Sequence, residues 1–297
     1  MHSEDVSFNS SIDGVTLNGT FVNVEGSKKV VLMIGGSGPT DRDETAQPNE
    51  TFSGKKEKLF LQIANALAQA GVSSFRYDKR GVLNEKGERN KKMWIKTDRE
   101  HLISDATDAA NYAISKSSLS PKDLIILGHS EGTSIGVEVA ILLGEVKGIL
   151  MLGAQARSMK EMLHYQIVES QDASRSGEDN TPEEDYEKAL KMIQDTEGDW
   201  APDGKPINWY RQFLAAPSNA KRLTLVNGFK AAFQGEEDYS TPIDEIEIFK
   251  KHGNEDLAVF TYPKLGHCFS PNKDGKPTFG PIDDKVLADI INTATEW

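Results

Sequence analysis

The chain has a single cysteine, Cys268, so no disulfide can form within it. Cations are scarce for the acids present: 34 Lys and Arg stand against 46 Asp and Glu, a net charge of -12. That balance argues against nucleic acid and anionic membrane surfaces as partners. No stretch approaches the roughly 20 apolar residues of a membrane span. No Cys/His spacing suits a structural zinc, and neither a P-loop nor a G-x-G-x-x-G string is present. Neither a metal nor an organic cofactor is therefore expected. The start, Met1-His2-Ser3-Glu4-Asp5, lacks the pattern of a signal peptide. A mature chain from which one had been cleaved would begin in the same way, so a cytoplasmic and an exported soluble protein both stay open.

What is present is ordinary globular composition, 37% hydrophobic and 27% charged over 297 residues. That length suits one large α/β domain with an insertion. Short alternating stretches around Ile12-Asp13-Gly14 read as antiparallel strands. Lys29 to Ile34 is a continuous apolar run, typical of a strand buried on both faces. Lys58 to Ala70 has helical spacing, Val72 to Tyr77 reads as a strand, and residues 84–96 as a surface loop. Thr97-Asp98-Arg99-Glu100 has the spacing of a capping box before a helix through Ile114. Strands follow at Asp123–Leu127 and Val146–Leu152, with a helix between them. The alternation breaks from Gln155 to Arg222, where Met159, Leu163 and Ile167 fall on one helical stripe and Glu169 to Asp199 is acidic. It resumes with a weak strand, Lys230 to Gly235, a last strand, Leu257 to Tyr262, and a closing helix, Asp283 to Trp297. This pattern predicts a mostly parallel, doubly wound sheet with antiparallel N-terminal strands. Its core would be residues 1–154 and 223–297, with residues 155–222 as a helical cap.

Gly128-His129-Ser130-Glu131-Gly132 fits G-x-S-x-G, with a strand before it and a helix after it. That context makes the string a nucleophile elbow. Glycines let strand and helix approach closely while the turn lifts the serine hydroxyl out of the sheet. The backbone N–H of Glu131 then sits at a helix N-terminus, suited to a developing oxyanion.

A nucleophilic serine needs a base, and the base an orienter. Of six histidines, His2 is terminal and His129 belongs to the elbow. His101, His164 and His252 fall in helices or at a helix end. His267 lies just past the last strand, in Leu265-Gly266-His267-Cys268-Phe269, and is the candidate base. The acid should lie between Ser130 and His267. Glu236, Glu237 and Asp238 compete for that role in Gly235-Glu236-Glu237-Asp238-Tyr239-Ser240-Thr241-Pro242, and spacing alone does not choose.

These motifs resemble the α/β-hydrolase superfamily. The resemblance implies the α/β-hydrolase fold and assigns the acid role to Asp238, at the position G-x-x-D-x-x-x-P. Gly35-Gly36-Ser37-Gly38-Pro39 stands where that family has a His-Gly-x loop, with Gly35 in place of histidine. The resemblance makes Ser37 the second oxyanion N–H donor beside Glu131. Asp78-Lys79-Arg80-Gly81 is similar to the family's D-x-R-G stretch, which shapes the floor of the site. Together with Thr40-Asp41-Arg42-Asp43, the motifs resemble bacterial carboxylesterases related to dienelactone hydrolases and prolyl-peptidase-like serine hydrolases. The likeness covers the chain apart from the cap.

The implied activity is hydrolysis of small, uncharged, short-acyl esters through a Ser130–His267–Asp238 triad. A peptidase or amidase and a non-catalytic binding protein are the competing readings. Gly36, Arg42, Arg80, Tyr165 and Trp209 are candidate substrate contacts. A small-molecule ester is the expected partner, and a homodimer stays open. The cap's Met159, Met162, Tyr165, Trp200, Trp209, Tyr210 and Phe213 either seal it onto the sheet or wall an acyl pocket. Cys268, beside the base, reads as a packing residue.

Overall fold

The computed structural model describes residues 2–82, 88–169, 181–201 and 204–297. Eight strands form the main sheet: β1 (His2–Asn9), β2 (Thr16–Asn23), β3 (Val30–Ile34), β4 (Ser73–Tyr77), β5 (Leu124–His129), β6 (Gly148–Leu152), β7 (Phe229–Gly235) and β8 (Ala258–Tyr262). Their order across the sheet is β1-β2-β4-β3-β5-β6-β7-β8. β1 pairs antiparallel with β2, and β2 antiparallel with β4. All other neighbours are parallel. A two-stranded ribbon, Thr45–Ala46 with Glu57–Lys58, stands apart.

Successive residues of a strand point to opposite faces, and the central strands are apolar on both. Val30, Leu32 and Ile34 of β3, with Leu124 and Ile126 of β5, enter one core. Val31, Met33, Ile125 and Leu127 enter the other. The first core is closed by α3 (Arg99–Ser117) and α4 (Glu131–Leu143), the second by α1 (Leu59–Gln69) and α10 (Asp284–Glu296). This doubly covered sheet explains why uninterrupted apolar runs were readable as strands.

Several local readings change. A helical turn, α2 (Lys91–Trp94), lies inside the stretch read as surface loop, and Trp94 is buried. Asn90 caps it, its side chain accepting from Met93 N–H. Residues 84–87 of that loop lie outside the described residues. The cap of α3 is Asp98, not Thr97: its carboxylate accepts from His101 N–H at 3.1 Å, and the helix continues past Ile114 to Ser117. β7 is not weak. Its alanines have little strand preference, yet six of its seven residues are buried between β6 and β8, and tertiary burial decides strand formation.

Between β6 and β7 come α5 (Met159–His164), a π-helical turn at Tyr165–Glu169, α6 (Pro182–Asp195), α7 (Ile207–Ala215) and α8 (Asn219–Leu223). The π turn ends the expected stripe before Ile167, and the residue that α5 buries is Met162. Of the acidic middle, residues 170–180 lie outside the described residues. A further helix, α9 (Glu245–Lys251), follows β7.

Candidate active site

β5 runs straight into Ser130, which has φ 53 and ψ -120 and precedes the first residue of α4. A non-glycine residue held in such a region costs roughly 1–3 kcal/mol and persists only where its surroundings enforce it. Here the Ser130 N–H donates to Leu152 O at 2.9 Å, fastening the turn to β6. A Cβ at Gly128 would collide with the backbone of Gly132, and one at Gly132 with the carbonyl of Ile34. Both elbow glycines are therefore required by close approach.

His267 follows β8, and Asp238 follows β7. Asp238 Oδ2 lies 2.7 Å from His267 Nδ1. The same oxygen accepts from Thr241 Oγ1 at 2.6 Å and Gln234 Nε2 at 3.1 Å. Oδ1 accepts the N–H groups of Ser240 and Thr241 at 2.8 and 2.9 Å. Burial pushes the Asp238 pKa up, but the imidazole and these hydrogen bonds outweigh it and hold the carboxyl below its ordinary range. Glu236 and Glu237 are exposed, so of the three competing carboxylates only Asp238 meets the histidine.

Ser130 and His267 line one cavity of about 610 Å³, together with His129, Gly36, Ser37 and Cys268. β3, β5 and β8 all end at this place, the carboxyl edge where open α/β sheets bind ligands. Gln166 and Lys205 reach the same cavity from the insertion. A larger cleft, about 700 Å³, opens between Arg157, Lys221 and His252 and contains neither Ser130 nor His267.

Two buried ion pairs flank the elbow. His129 Nδ1 lies 2.9 Å from Glu44 Oε2, a contact that lacks the alignment of a regular hydrogen bond. Burial opposes both charges, yet each sustains the other: Glu44 is held below its ordinary pKa and His129 well above its own. On the other side, Lys79 Nζ lies 2.6 Å from Glu131 Oε1, and Trp209 Nε1 donates to Glu131 Oε2 at 2.8 Å. No sequence signal pointed to Glu44. Lys79 was in view within Asp78-Lys79-Arg80-Gly81 without a role.

Of the candidate substrate contacts, only Gly36 lines the cavity. Arg42 is taken up by Asp78, with Asp5 and Thr20 alongside. Arg80 is buried against Asp105, Asp13 and Ser10. Both arginines serve the scaffold; among the described residues the Lys and Arg side chains on the cavity wall are those of Arg89 and Lys205. Tyr165 lies under the Arg157 guanidinium, 5.1 Å from ring centre to carbon, and its neighbour Gln166 is the residue that reaches the cavity. Trp209 is 2% exposed and packs on Phe213 at 4.6 Å. None of the seven aromatics and methionines singled out between residues 155 and 222 lines the cavity. Trp209 and Phe213 belong to the main core, with Met159, Trp200 and Tyr210 packed against it, so these side chains seal the insertion onto the sheet.

No family model matches the sequence. Esterase EstD of Thermotoga maritima is 25% identical over 93% of this chain, and the chain spans 65% of that relative's length. Among solved structures, the α/β hydrolase GrgF from Penicillium sp. sh18 superposes with a TM-score of 0.62 at 15% identity, over all of both chains. Est1E from Butyrivibrio proteoclasticus, solved with ferulic acid bound, gives a TM-score of 0.62 at 17% identity over 98% of this chain and 96% of its own. The chain thus has the α/β-hydrolase fold, and its sequence is similar to that of an esterase.

Proposed function

We propose that the chain is a serine hydrolase, a carboxylesterase acting on small esters. The observation that carries this reading is the 2.7 Å contact between Asp238 Oδ2 and His267 Nδ1, beside a cavity that His267 shares with the strained Ser130. In this reading His267 takes the Ser130 proton as the hydroxyl oxygen attacks the ester carbonyl carbon. Asp238 fixes the imidazole tautomer and stabilises the imidazolium. The N–H groups of Glu131 and Ser37 receive the oxyanion, each supplying about 3 kcal/mol of transition-state stabilisation. The proton then passes from His267 to the departing alcohol. Water, deprotonated by His267, attacks the acyl-enzyme and releases the acid.

Residues 155–222 act as a cap over the core of residues 1–154 and 223–297, supported by Gln166 and Lys205 on the cavity wall. Among the described residues the apolar side chains on the wall are few, Pro39, Ala46, Leu59, Val82 and Phe279 beside Cys268, which favours short acyl groups. A net charge of -12 favours a small-molecule partner over nucleic acid. Asp41 and Glu50 on the same wall favour a second reading, a peptidase or amidase gripping a substrate amine. Side-by-side turnover of an aryl acetate and an aminoacyl-arylamide separates the two.

The test of the first reading is a fluorophosphonate probe with peptide mapping. The adduct is expected on Ser130, and Ser130→Ala should lose labelling and several orders of magnitude of esterase activity while staying folded. An adduct on another serine would falsify the assignment.

A further inference from the structure

The two residues that flank Ser130 each enter a buried ion pair, and both pairs converge on Gly36. On one side His129 faces Glu44, whose Oε1 accepts the Gly36 N–H. On the other, Glu131 holds Lys79, whose Nζ donates to the Gly36 carbonyl at 2.6 Å. Lys79 and Glu131 have side chains only 3% and 2% exposed. Gly36 is thus gripped through its N–H and through its C=O.

The geometry of the peptide gives this grip a consequence. The Gly36 carbonyl and the Ser37 N–H belong to one planar trans unit, so they point in opposite directions. An ammonium fixed on the carbonyl therefore sets where the Ser37 N–H points, which is away from Lys79. Ser37 lines the cavity that holds Ser130. A positive charge on the carbonyl oxygen also polarises the unit and strengthens its N–H as a donor. The preceding unit is fixed as well, because Glu44 takes the Gly36 N–H and so removes it from use by a ligand. A Cβ on Gly36 would lie 3.4 Å from Ser130 Cβ, so this backbone runs directly against the nucleophile.

Buried ion pairs contribute little net stability, since desolvation offsets their attraction. Two of them, one on each side of a nucleophile and both ending on the same residue, point to a role in orientation. We propose that Lys79 and Glu44 are positioning residues for the oxyanion hole: they aim the Ser37 N–H, and the residues flanking Ser130 hold them in place. This rests on the serine-hydrolase reading above.

The test compares Lys79→Met, Glu44→Leu and Glu44→Gln with the wild type. Active sites are counted by fluorophosphonate titration, then kcat, KM and the Ki of an aryl trifluoromethyl ketone are measured. That ketone adds the serine and presents an oxyanion, so its Ki reads the hole directly. Lys79→Met and Glu44→Leu should lose about 10- to 100-fold in kcat, less than the roughly 10²–10³ of deleting a donor outright. KM should move less than about twofold, and Ki should rise by the factor that kcat/KM falls. Glu44→Gln keeps an oxygen for the Gly36 N–H and should restore most of the loss. An unchanged Ki, or a loss confined to the number of active sites, overturns the proposal in favour of a purely structural role. If Lys79→Met cannot be purified, Lys79→Gln, which keeps a donor but not the charge, should raise Ki by a smaller factor; an unchanged Ki there overturns it equally. Failure of the underlying reading looks different: the wild type itself gives no Ser130 adduct.

Discussion

Asp238 turns its carboxylate onto His267 at 2.7 Å, while Glu236 and Glu237, the two residues before it, are exposed to solvent. Asp238→Asn keeps an oxygen for the Ser240 and Thr241 N–H groups but can present an amide nitrogen to His267 Nδ1. That favours the wrong imidazole tautomer, and kcat should fall on the order of 10⁴-fold. Glu236→Gln and Glu237→Gln should cost little. Steady-state turnover of an aryl acetate by the three variants decides it, and an active Asp238→Asn beside a dead Glu variant would reverse the assignment.

The elbow was legible in the sequence because its causes are local. Strand, two glycines and helix are adjacent, and each glycine is demanded by a backbone close to it. Which carboxylate meets His267 was legible only by resemblance, because Gln234 and Thr241 draw Asp238 inward and nothing in the local string says so. Arg42 and Arg80 were misplaced for the opposite reason. They sit beside glycine-bearing loops, where a cation reads as a ligand contact, yet their partners Asp5, Asp13 and Asp105 arrive from remote elements. The pairing of His129 with Glu44 joins residues far apart in sequence, and no spacing rule reaches that far.

Gly153, at the end of β6, has φ 59, and a Cβ there would meet His267 Cε1 at 3.0 Å and Nδ1 at 3.1 Å. Gly153→Ala therefore carries two penalties. The left-handed backbone costs roughly 1–2 kcal/mol for an L-residue. The methyl also pushes the imidazole from its place beside Asp238, and in the serine-hydrolase reading small misplacements of a catalytic group cost up to about 10² in rate. We expect kcat to drop about 10- to 100-fold. Thermal unfolding and turnover, measured together, check this; a lower melting point with full activity would show that the imidazole does not yield.

The His129–Glu44 pair has a pH signature. Its histidine has a folded pKa well above the ordinary value, so the native state binds the proton more tightly than the unfolded chain. Stability from this source is full below the unfolded value of about 6.5 and is lost as pH rises through the folded one. Glu44 has a lowered folded pKa, so its share is present above about 4.3 and is lost as pH falls through its folded value. The difference in urea-unfolding free energy between wild type and His129→Gln should accordingly be smaller near about pH 9.5 than near about pH 7. A gap that widens on the alkaline side would mean that His129 is neutral in the native state.

Trp209 connects the insertion to the elbow. Its indole N–H is the donor to Glu131 Oε2, and its ring is packed on Phe213 and Tyr210. Trp209→Phe keeps an aromatic ring against Phe213 and Tyr210 but removes the donor, together with part of the buried indole volume. A buried carboxylate oxygen then lacks a partner, which costs about 1–3 kcal/mol. Lys79 still neutralises Glu131 through the other oxygen. The hold on the Gly36 carbonyl therefore survives, and kcat should fall only a few-fold, far less than in Lys79→Met. Stability and catalysis thus separate in this one variant: an urea midpoint clearly lowered, and a kcat close to that of the wild type. The reverse pattern, a large loss of kcat in a protein of unchanged stability, would mean that the insertion itself sets the oxyanion loop. In that case the command passes from Trp209 through Glu131 rather than residing in the Lys79 ammonium.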